Sequence, residues 1–500
     1  MLGRLNLQKG NPIMFSFIST GRAASRYGQD NIKKYSSSNS LLGPLAIAAI
    51  TVALVFVAGS QTRQPGLLFL LPIIFAAAYV FFRYPSLATL LVIAFIPMDT
   101  FSNFSINETS AFSFTKFVTP LALLGTFARR GEYDRQPVRG IDMLFLVYVA
   151  YVILLLPFSP FAEPAEQFVI KICSMLMLYY IVVFWGDNDK RFIHNLIWVL
   201  VISSAVSSVF GFFSIYTQGN PFTRFQDDSL VRVTGASGIS PNDYAYILFL
   251  PLFLSIGLLF SRINGKCRFW ALLCFLGISS SLLYTYSRSA IVSIVFACVL
   301  VFIFLLRKLD ARVFLAIPLA LLIGFFIIPD TVYERMATLF YGLGDSYYQE
   351  VSLSRRGNYL KVGAAILADY PLLGGGLGSF SVYHADPQYQ TIPILYGLKR
   401  MPHNVYLQVA AETGLLGLFL FALPLIALFV LMKRSLDSMD SLSASLLYAA
   451  AMAGLLSSFF MGFFLHLLFN KTFWITLAFC RVIGNNHADP TRYRTLEHRW

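Results

Sequence analysis

Charged residues are scarce in this sequence. Only 13% of its 500 residues are charged, whereas soluble domains carry about 25%. Hydrophobic residues make up 57% of the chain, and many apolar runs approach the ~20 residues that a helix needs to cross a bilayer. Cysteine is also scarce. The five cysteines lie in or beside apolar runs without metal-like pairing, so we expect neither structural disulfides nor a cysteine metal site. The composition excludes a single soluble core.

Fourteen apolar runs are candidate membrane spans, which predicts an all-α polytopic membrane protein with about 12–14 transmembrane helices. They cover residues 41–59, 66–82, 85–98, 111–128, 141–158, 166–185, 192–216, 243–260, 269–286, 289–306, 312–328, 405–432, 443–465 and 467–483. We therefore expect a polar cytoplasmic tail at 1–40 and about eleven spans at 41–328. A large, partly helical exoplasmic loop follows at 329–404, then about three spans at 405–483 and a cytoplasmic tail at 484–500.

The distribution of positive charge orients these spans. With the N-terminus in the cytoplasm, cytoplasmic segments hold 25 of the 38 Lys and Arg residues. Short exoplasmic connections are nearly bare of them, as membrane proteins require. This asymmetry accounts for the net charge of +13. No nucleic-acid partner is expected, and the 329–404 loop is placed outside the cytoplasm.

Arg288 lies in the tight exoplasmic turn 284–288 between two apolar runs. An arginine this close to hydrocarbon costs ~2.5–3.5 kcal/mol even on the lenient insertion scale. We expect Arg288 to face a water-filled cavity or an anionic partner. Snorkelling to lipid head groups is the alternative.

Two adjacent arginines, Arg355 and Arg356, open a predicted helix that runs to Asp369. The apolar residues Tyr359, Val362 and Ile366 recur in it at helical spacing, which predicts a helix lying on the protein or the membrane surface. Arginines in a first helical turn, beside free backbone amides, suit phosphate oxygens. An ordinary solvated helix start is the alternative.

The glycine-rich run 371–380 superficially resembles a phosphate-cradling loop. It lacks the lysine and Ser/Thr ending of a nucleotide P-loop and follows no strand, so nucleotide binding is not expected. A tight structural turn is favoured. Gly376 remains a candidate substrate contact.

His403 lies two residues before the span that begins at residue 405, and Asn404 could orient its ring. A histidine titrates near neutrality and can take a proton from a hydroxyl. His403 is therefore the candidate catalytic base, with His384 and His466 as weaker candidates. A structural role is the alternative for any lone histidine. No cluster has metal-ligand spacing, so no metal site is indicated.

These residues resemble motifs of the O-antigen ligase and polymerase superfamily of bacterial envelope membrane proteins. Three patches carry the resemblance: Arg232 through Gly235 to Pro241 and Asn242, the turn 285–290, and the segment from Arg356 through 371–380 to His403, Asn404 and Glu412. The family often has a tryptophan shortly after its loop arginine, where this chain has Tyr359 and Leu360. Counting back from Pro371 favours Arg356 over Arg355.

The resemblance implies a glycosyltransferase of the GT-C type in the bacterial inner membrane, active on the periplasmic face without cofactor or metal. It would transfer a glycan from undecaprenyl diphosphate, with His403, Arg288 and Arg356 catalytic. Arg355, Arg232, Asn404 and Gly376 would bind substrate. Partners would be the lipid-linked glycan donor, a lipid A-core or growing glycan acceptor, and membrane lipids. Inversion is expected because no carboxylate pair is evident.

Two functions within this class share the motifs. A ligase attaches finished polymer to lipid A-core, whereas a polymerase extends the repeat unit on the carrier; the motif pattern favours the ligase. A transporter is a third alternative. Transporters place ionisable residues near the bilayer midplane and often contain internal repeats, whereas this sequence shows no fixed repeat and its arginines lie at the membrane edge.

Overall fold

The computed structural model describes residues 71–99, 103–104, 112–133, 140–216, 223–226, 230–237, 239–261, 263–308, 330–337, 351–390, 392, 395–439 and 442–486. The helices in these ranges are α1 (Leu71–Arg83), α2 (Pro85–Phe95), α3 (Phe114–Arg129), α4 (Gly140–Leu155), α5 (Ala162–Asn188), α6 (Lys190–Tyr216), α7 (Pro241–Ile247), α8 (Phe249–Phe260), α9 (Gly265–Tyr284), α10 (Arg288–Leu305), α11 (Asp330–Ala337), α12 (Val351–Asp369), α13 (Phe380–Ala385), α14 (Val405–Asp437), α15 (Leu442–Met461) and α16 (Lys471–Asn486). The chain divides into two compact units between Tyr79 and Val80, and every helix from α2 onwards lies in the second unit.

Two short antiparallel hairpins join these helices, and the sequence did not predict them. Strand β1 (Asn103–Phe104) pairs with β2 (Phe112–Ser113), and β3 (Thr223–Gln226) pairs with β4 (Leu230–Val233). The β3–β4 hairpin lies in a connection between predicted spans, whereas β2 occupies the first residues of the predicted span 111–128. Both hairpins are short, so the all-α class is unchanged.

Seven helices within the described ranges are long and apolar enough to span a membrane. They are Gly140–Phe158, Ala162–Asn188, Arg191–Phe213, Pro241–Phe260, Gly265–Tyr284, Arg288–Leu305 and Val405–Asp437. The bent pair Ala76–Arg83 and Pro85–Met98 would make an eighth. The all-α polytopic membrane architecture is confirmed. The count of 12–14 spans stays a prediction, since the tail 1–40 and the predicted spans 41–59 and 312–328 lie outside the described residues.

Side-chain caps define where several of these helices begin. The first N–H groups of a helix lack partners within it, and Ser or Asn at the N-cap supplies an acceptor. Ser240, Asn264, Ser287 and Asn404 each accept a hydrogen bond from the backbone N–H three residues later. The polar residues that interrupt the apolar runs therefore fix the entry points of α7, α9, α10 and α14.

The core consists of apolar side chains between closely packed helices. Helix α5 packs on α16, α4 on α14, and both α8 and α10 on α15. Fully buried aromatic rings fill these contacts; Phe145 and Trp474 have ring centroids 5.5 Å apart. Many other apolar side chains, such as Phe158 and Leu154, are exposed. This outward apolar surface is what a lipid-covered helix bundle requires.

A buried ionic cluster ties three helices together. Arg481 on α16 donates from Nε and Nη2 to the Asp142 carboxylate on α4, over 3.0 and 2.5 Å, and from Nη1 to Asp187 on α5. The Tyr179 hydroxyl also donates to Asp142 over 2.8 Å. The distribution of Lys and Arg in the sequence predicts that these three helix ends lie on the cytoplasmic side. We call the opposite end, with Val405, Met461 and the turn 284–288, the loop end.

Candidate active site at the loop end

Helix α12 brings the loop arginines to the bundle. Its residues Tyr359, Val362 and Ile366 are buried, as their spacing predicted, and α12 packs against α13 and α14. A helix with one buried face presents its other residues at fixed angles around its axis. The predicted end of the helix at Asp369 is confirmed.

The predicted start of this helix is wrong. Helix α12 begins at Val351, so Arg355 and Arg356 lie in its second turn rather than its first. Only the first four N–H groups of a helix are free to meet an anion. The expectation that these arginines stand beside free backbone amides therefore fails. The side chain of Arg355 lies outside the described part of the structure.

Arg356 lies over an aromatic ring contributed by a distant part of the chain. Its guanidinium carbon is 5.6 Å from the centre of the Phe464 ring, which follows α15. An arginine over an aromatic face is held by cation–π attraction without losing its positive charge. The positive charge of Arg356 also acts on His403 and lowers its pKa.

His403 occupies a strained and enclosed position. Its φ is +46°, which a residue other than glycine adopts at some energetic cost. The ring centroid of His403 lies 5.2 Å from that of His466 and 5.8 Å from that of Tyr359. The next residues anchor it: the Val405 N–H donates to the Gly462 carbonyl over 2.8 Å. The surrounding structure thus dictates where this imidazole lies.

Asn404 caps a helix in this structure. Its Oδ1 accepts from the Leu407 N–H over 3.0 Å, which makes it the N-cap of α14. The rings near His403 are those of Tyr359 and His466. Orientation of the His403 ring by Asn404 stays a prediction. Substrate binding by Asn404 stays a prediction.

His403 is a neutral imidazole near neutral pH. Burial lowers the pKa of His403 from 6.5 to about 4, and the neighbouring His466, Arg356 and Arg400 act in the same direction. The carboxylate of Asp243 opposes them and raises that pKa. A neutral imidazole has a lone pair with which to accept a proton, so His403 meets the first requirement of a general base.

The first motif patch forms a buried network around Arg232. Its Nε donates to the Thr285 carbonyl over 2.7 Å, and its Nη2 donates to Asn242 Oδ1 over 3.0 Å. Arg232 therefore joins the β3–β4 hairpin, the start of α7 and the turn before Arg288. These bonds explain the burial of Arg232 by themselves, and its contact with substrate stays a prediction.

Asp243, on α7, is a site residue that the sequence did not single out. The Ser240 hydroxyl lies 2.5 Å from Asp243 Oδ2, and the Asp243 N–H donates back to Ser240. This local pairing fixes the carboxylate within electrostatic range of His403. The signal that could have found Asp243 was its place directly after Pro241 and Asn242, which the motif patch included.

Arg288 is the first residue of α10 and half-buried. It follows Tyr286, whose φ is +48°, and Ser287, which caps the helix. The predicted tight turn between two spans is confirmed. Because α7 packs against α10, Arg288 shares the loop end with Asp243.

The glycine run docks against α14, which is broken at that point. Gly414 has φ +71° and ψ −176°, so the predicted continuous span 405–432 consists of two helical segments. The Gly375 N–H donates to the Ala411 carbonyl over 2.8 Å, and the Leu415 N–H donates to the Pro371 carbonyl over 2.9 Å. The run therefore supplies hydrogen bonds that the broken helix cannot make itself.

Gly376 has a packing explanation. Its φ is +105°, and a Cβ at this position would lie 2.5 Å from Cδ of Pro160. The neighbouring Leu377 N–H donates to Ser159 Oγ over 3.1 Å. The turn is therefore also fixed to the connection between α4 and α5. Substrate binding by Gly376 stays a prediction.

Two buried polar residues of this region hold the loop together. Glu412 accepts from the Phe380 N–H and from Gln408 Nε2, both over 3.2 Å. His384 donates from Nδ1 to the Leu398 carbonyl over 2.8 Å, while its Nε2 lies 3.1 Å from Gln390. Burial lowers the pKa of His384. Both nitrogens of His384 are thus engaged within the loop, which favours a structural role, and catalysis by His384 stays a prediction.

The loop end thus gathers His403, His466, Arg356, Arg400 and Asp243 from four chain segments. Such a site can take a proton from a hydroxyl at a neutral imidazole and stabilise an anion with arginines. Among the described residues, no group of three or more His, Cys, Asp or Glu side chains is placed to hold a metal ion. Metal independence stays a prediction.

One family comparison covers most of this site. Residues 270–422 match the family model described as O-antigen ligase. The matched segment contains Arg288, Arg356 and His403, but neither Asp243 nor His466. A search of curated proteins found no match to the chain.

Proposed function

Residues 270–422 belong to the O-antigen ligase family, and on that premise we propose that this protein transfers a glycan from undecaprenyl diphosphate to an acceptor hydroxyl. Family membership makes the chain a multi-pass membrane protein of polysaccharide assembly with a glycosyltransferase-like ligase activity. The proposal adds the chemical identity of the donor, the identity of the acceptor and the side of the membrane on which transfer occurs. The donor is lipid-linked, the acceptor is lipid A-core, and the loop end faces the periplasm.

The observation that carries the proposal is the neutral His403, acted on by the charges of Arg356 and Arg400, just before the candidate membrane-spanning helix α14. A lipid-diphosphate donor enters from the bilayer, so its charged group lies at the edge of the membrane. Arginine forks match phosphate oxygens. An imidazole that remains neutral in this electropositive place can still accept the hydroxyl proton.

The proposed reaction is a single displacement. His403 accepts the proton of the acceptor hydroxyl while the hydroxyl oxygen bonds to the anomeric carbon. The bond from that carbon to the diphosphate oxygen breaks, and its electron pair stays on undecaprenyl diphosphate. Arg356 and Arg288 stabilise the negative charge that develops there. Asp243 stabilises the imidazolium that forms on His403. Attack from the opposite face inverts the anomeric centre.

Complementation of a ligase-deficient strain tests this function. We expect the native gene to restore surface polysaccharide and His403→Ala and Arg288→Ala to fail, with all three proteins inserted at equal levels. Full restoration by both variants would show that the catalytic assignment is wrong. Insertion is checked by membrane fractionation.

The accumulated intermediate separates ligase from polymerase. Loss of a ligase leaves long polymer on the carrier, whereas loss of a polymerase leaves a single repeat unit. We expect long carrier-linked polymer in cells with His403→Ala. A single repeat unit would assign the same site to a polymerase.

A further inference from the structure

The connection between α15 and α16, residues 462–470, completes the site from outside the family-matched segment. We call it the C-terminal turn. Its Gly462 carbonyl accepts from the Val405 N–H over 2.8 Å, directly after His403 and Asn404. Its Phe464 ring supports Arg356. The Leu468 carbonyl accepts from Trp474 Nε1 over 2.8 Å, which anchors the turn to α16.

His466 lies at the centre of this turn, edge-to-face with His403. Their ring centroids are 5.2 Å apart and their planes cross at 62°. Nδ1 of His466 is buried and has no hydrogen-bond partner among the described residues. Buried polar atoms in folded proteins are nearly always hydrogen-bonded. A buried nitrogen without a hydrogen-bond partner beside a candidate base therefore indicates a place for a ligand group.

The chemistry of the site narrows the identity of that group. A hydroxyl both donates and accepts, so it suits either tautomer of the imidazole, whereas a diphosphate oxygen only accepts. In the proposed function, the arginines already bind the diphosphate anion. The hydroxyl that transfers its proton must come within hydrogen-bond reach of His403, and His466 is in contact with that ring.

We propose that His466 is a positioning residue whose Nδ1 hydrogen-bonds a hydroxyl of the glycan acceptor while its ring holds His403 in place. This inference rests on the proposed function and deepens it, because it assigns the acceptor to the side of His403 that the C-terminal turn covers.

Three substitutions separate the hydrogen bond from the packing. Phe at position 466 keeps a flat ring against His403 but cannot hydrogen-bond. Asn places a polar atom near the position of Nδ1, and Gln places one near Nε2. His466→Phe, His466→Asn and His466→Gln are assayed as purified protein in lipid nanodiscs. The donor is undecaprenyl-diphosphate-linked glycan and the acceptor is lipid A-core, each varied separately. Phe463→Leu, on an exposed residue of the same turn, is the matched control.

We expect His466→Phe to raise the KM for the acceptor about three- to tenfold, the usual effect of one lost hydrogen bond. The KM for the donor stays within about twofold. His466→Asn recovers most of the loss, and His466→Gln does not. A native acceptor KM in His466→Phe, or no recovery in His466→Asn, overturns the inference.

His403→Ala is measured beside these variants. If it is inactive while His466→Phe behaves like the native protein, only the role of His466 is overturned. If His403→Ala keeps native activity, the proposed function loses its base. Thermal unfolding of each variant confirms that the compared proteins are folded.

Discussion

At the scale of single residues, the environment of His403 explains its chemistry. Burial, His466, two arginines and one carboxylate set the pKa of its imidazole, and these residues come from four chain segments. The positive φ of His403 holds the ring where those segments converge. Its sequence neighbour Asn404 instead caps α14.

The pH dependence of transfer follows from the lowered pKa of His403. A protonated base is inactive, so kcat/KM falls as the pH drops through that pKa. Because the pKa is lowered to about 4, we expect activity to persist through pH 6. Initial rates from pH 4 to 8 measure this. A half-maximal point near 6.5 would contradict the proposed environment.

Asp243 is expected to support the base. Its carboxylate raises the pKa of His403, so Asp243→Asn lowers that pKa further and weakens the base. We expect kcat/KM at pH 7 to fall about tenfold, the equivalent of one pKa unit, and the acid limb to move to lower pH. Asp437→Asn, at an exposed residue of the opposite end, is the control. Equal profiles for the two variants would remove Asp243 from the site.

At the scale of elements, the glycine run and the break in α14 form one unit. The backbone of 371–375 approaches the backbone of 411–416 closely enough to hydrogen-bond with it. A Cβ at Gly374 or at Gly414 would overlap the backbone of the facing segment. The glycines therefore allow two backbone segments to approach each other closely, which is a common role of glycine.

Gly414→Ala tests this docking. A Cβ at Gly414 would overlap the Leu372 carbonyl oxygen. We expect destabilisation by about 3 kcal/mol or more from combined strain and overlap. Gly397→Ala is a matched control, since Gly397 also has a positive φ but open space around it. We expect Gly397→Ala to destabilise the protein by only about 1 kcal/mol, from backbone strain alone.

Thermal unfolding in detergent ranks the two glycine variants. If Gly397→Ala proves as damaging as Gly414→Ala, backbone conformation rather than docking decides stability at both positions.

At the scale of the whole molecule, the ionic cluster at the end opposite the site joins early and late helices. Asp142, Asp187 and Arg481 are buried. A charge left alone in such a place is costly. The cluster lies outside the family-matched segment and holds α4 and α5 against α16, whose first residue follows the C-terminal turn.

Arg481→Met is expected to destabilise the protein by about 3–5 kcal/mol, because it leaves two carboxylates buried without their cation. Lys433→Ala is the control. Its pair with Asp437 is partly exposed, and such pairs contribute less than about 1 kcal/mol. Melting temperatures in detergent measure both. Equal shifts would show that the buried cluster adds nothing beyond a surface pair.

The sequence alone determined the class of this protein and the chemical types at its site. Long apolar runs cross a bilayer as helices, because a helix satisfies its backbone hydrogen bonds internally. The polytopic all-α class therefore followed from the composition. The spacing of Tyr359, Val362 and Ile366 identified the buried face of α12. Arg288 was singled out because an arginine at the edge of hydrocarbon is costly. Arg356 was singled out as a loop-helix arginine suited to phosphate oxygens, and His403 as a histidine that can accept a proton just before a span.

Only the tertiary structure decided which residues face His403. Asp243 and His466 are separated from it by 160 and 63 positions, and no local pattern encodes such contacts. Sequence patterns also failed to predict three other features: the helix start at Val351, the break at Gly414 and the pairing of Arg481 with two aspartates. Each depends on what packs against it from elsewhere in the chain. Local periodicity reports one element at a time, whereas burial, which sets the pKa of His403, is a property of the assembled helices.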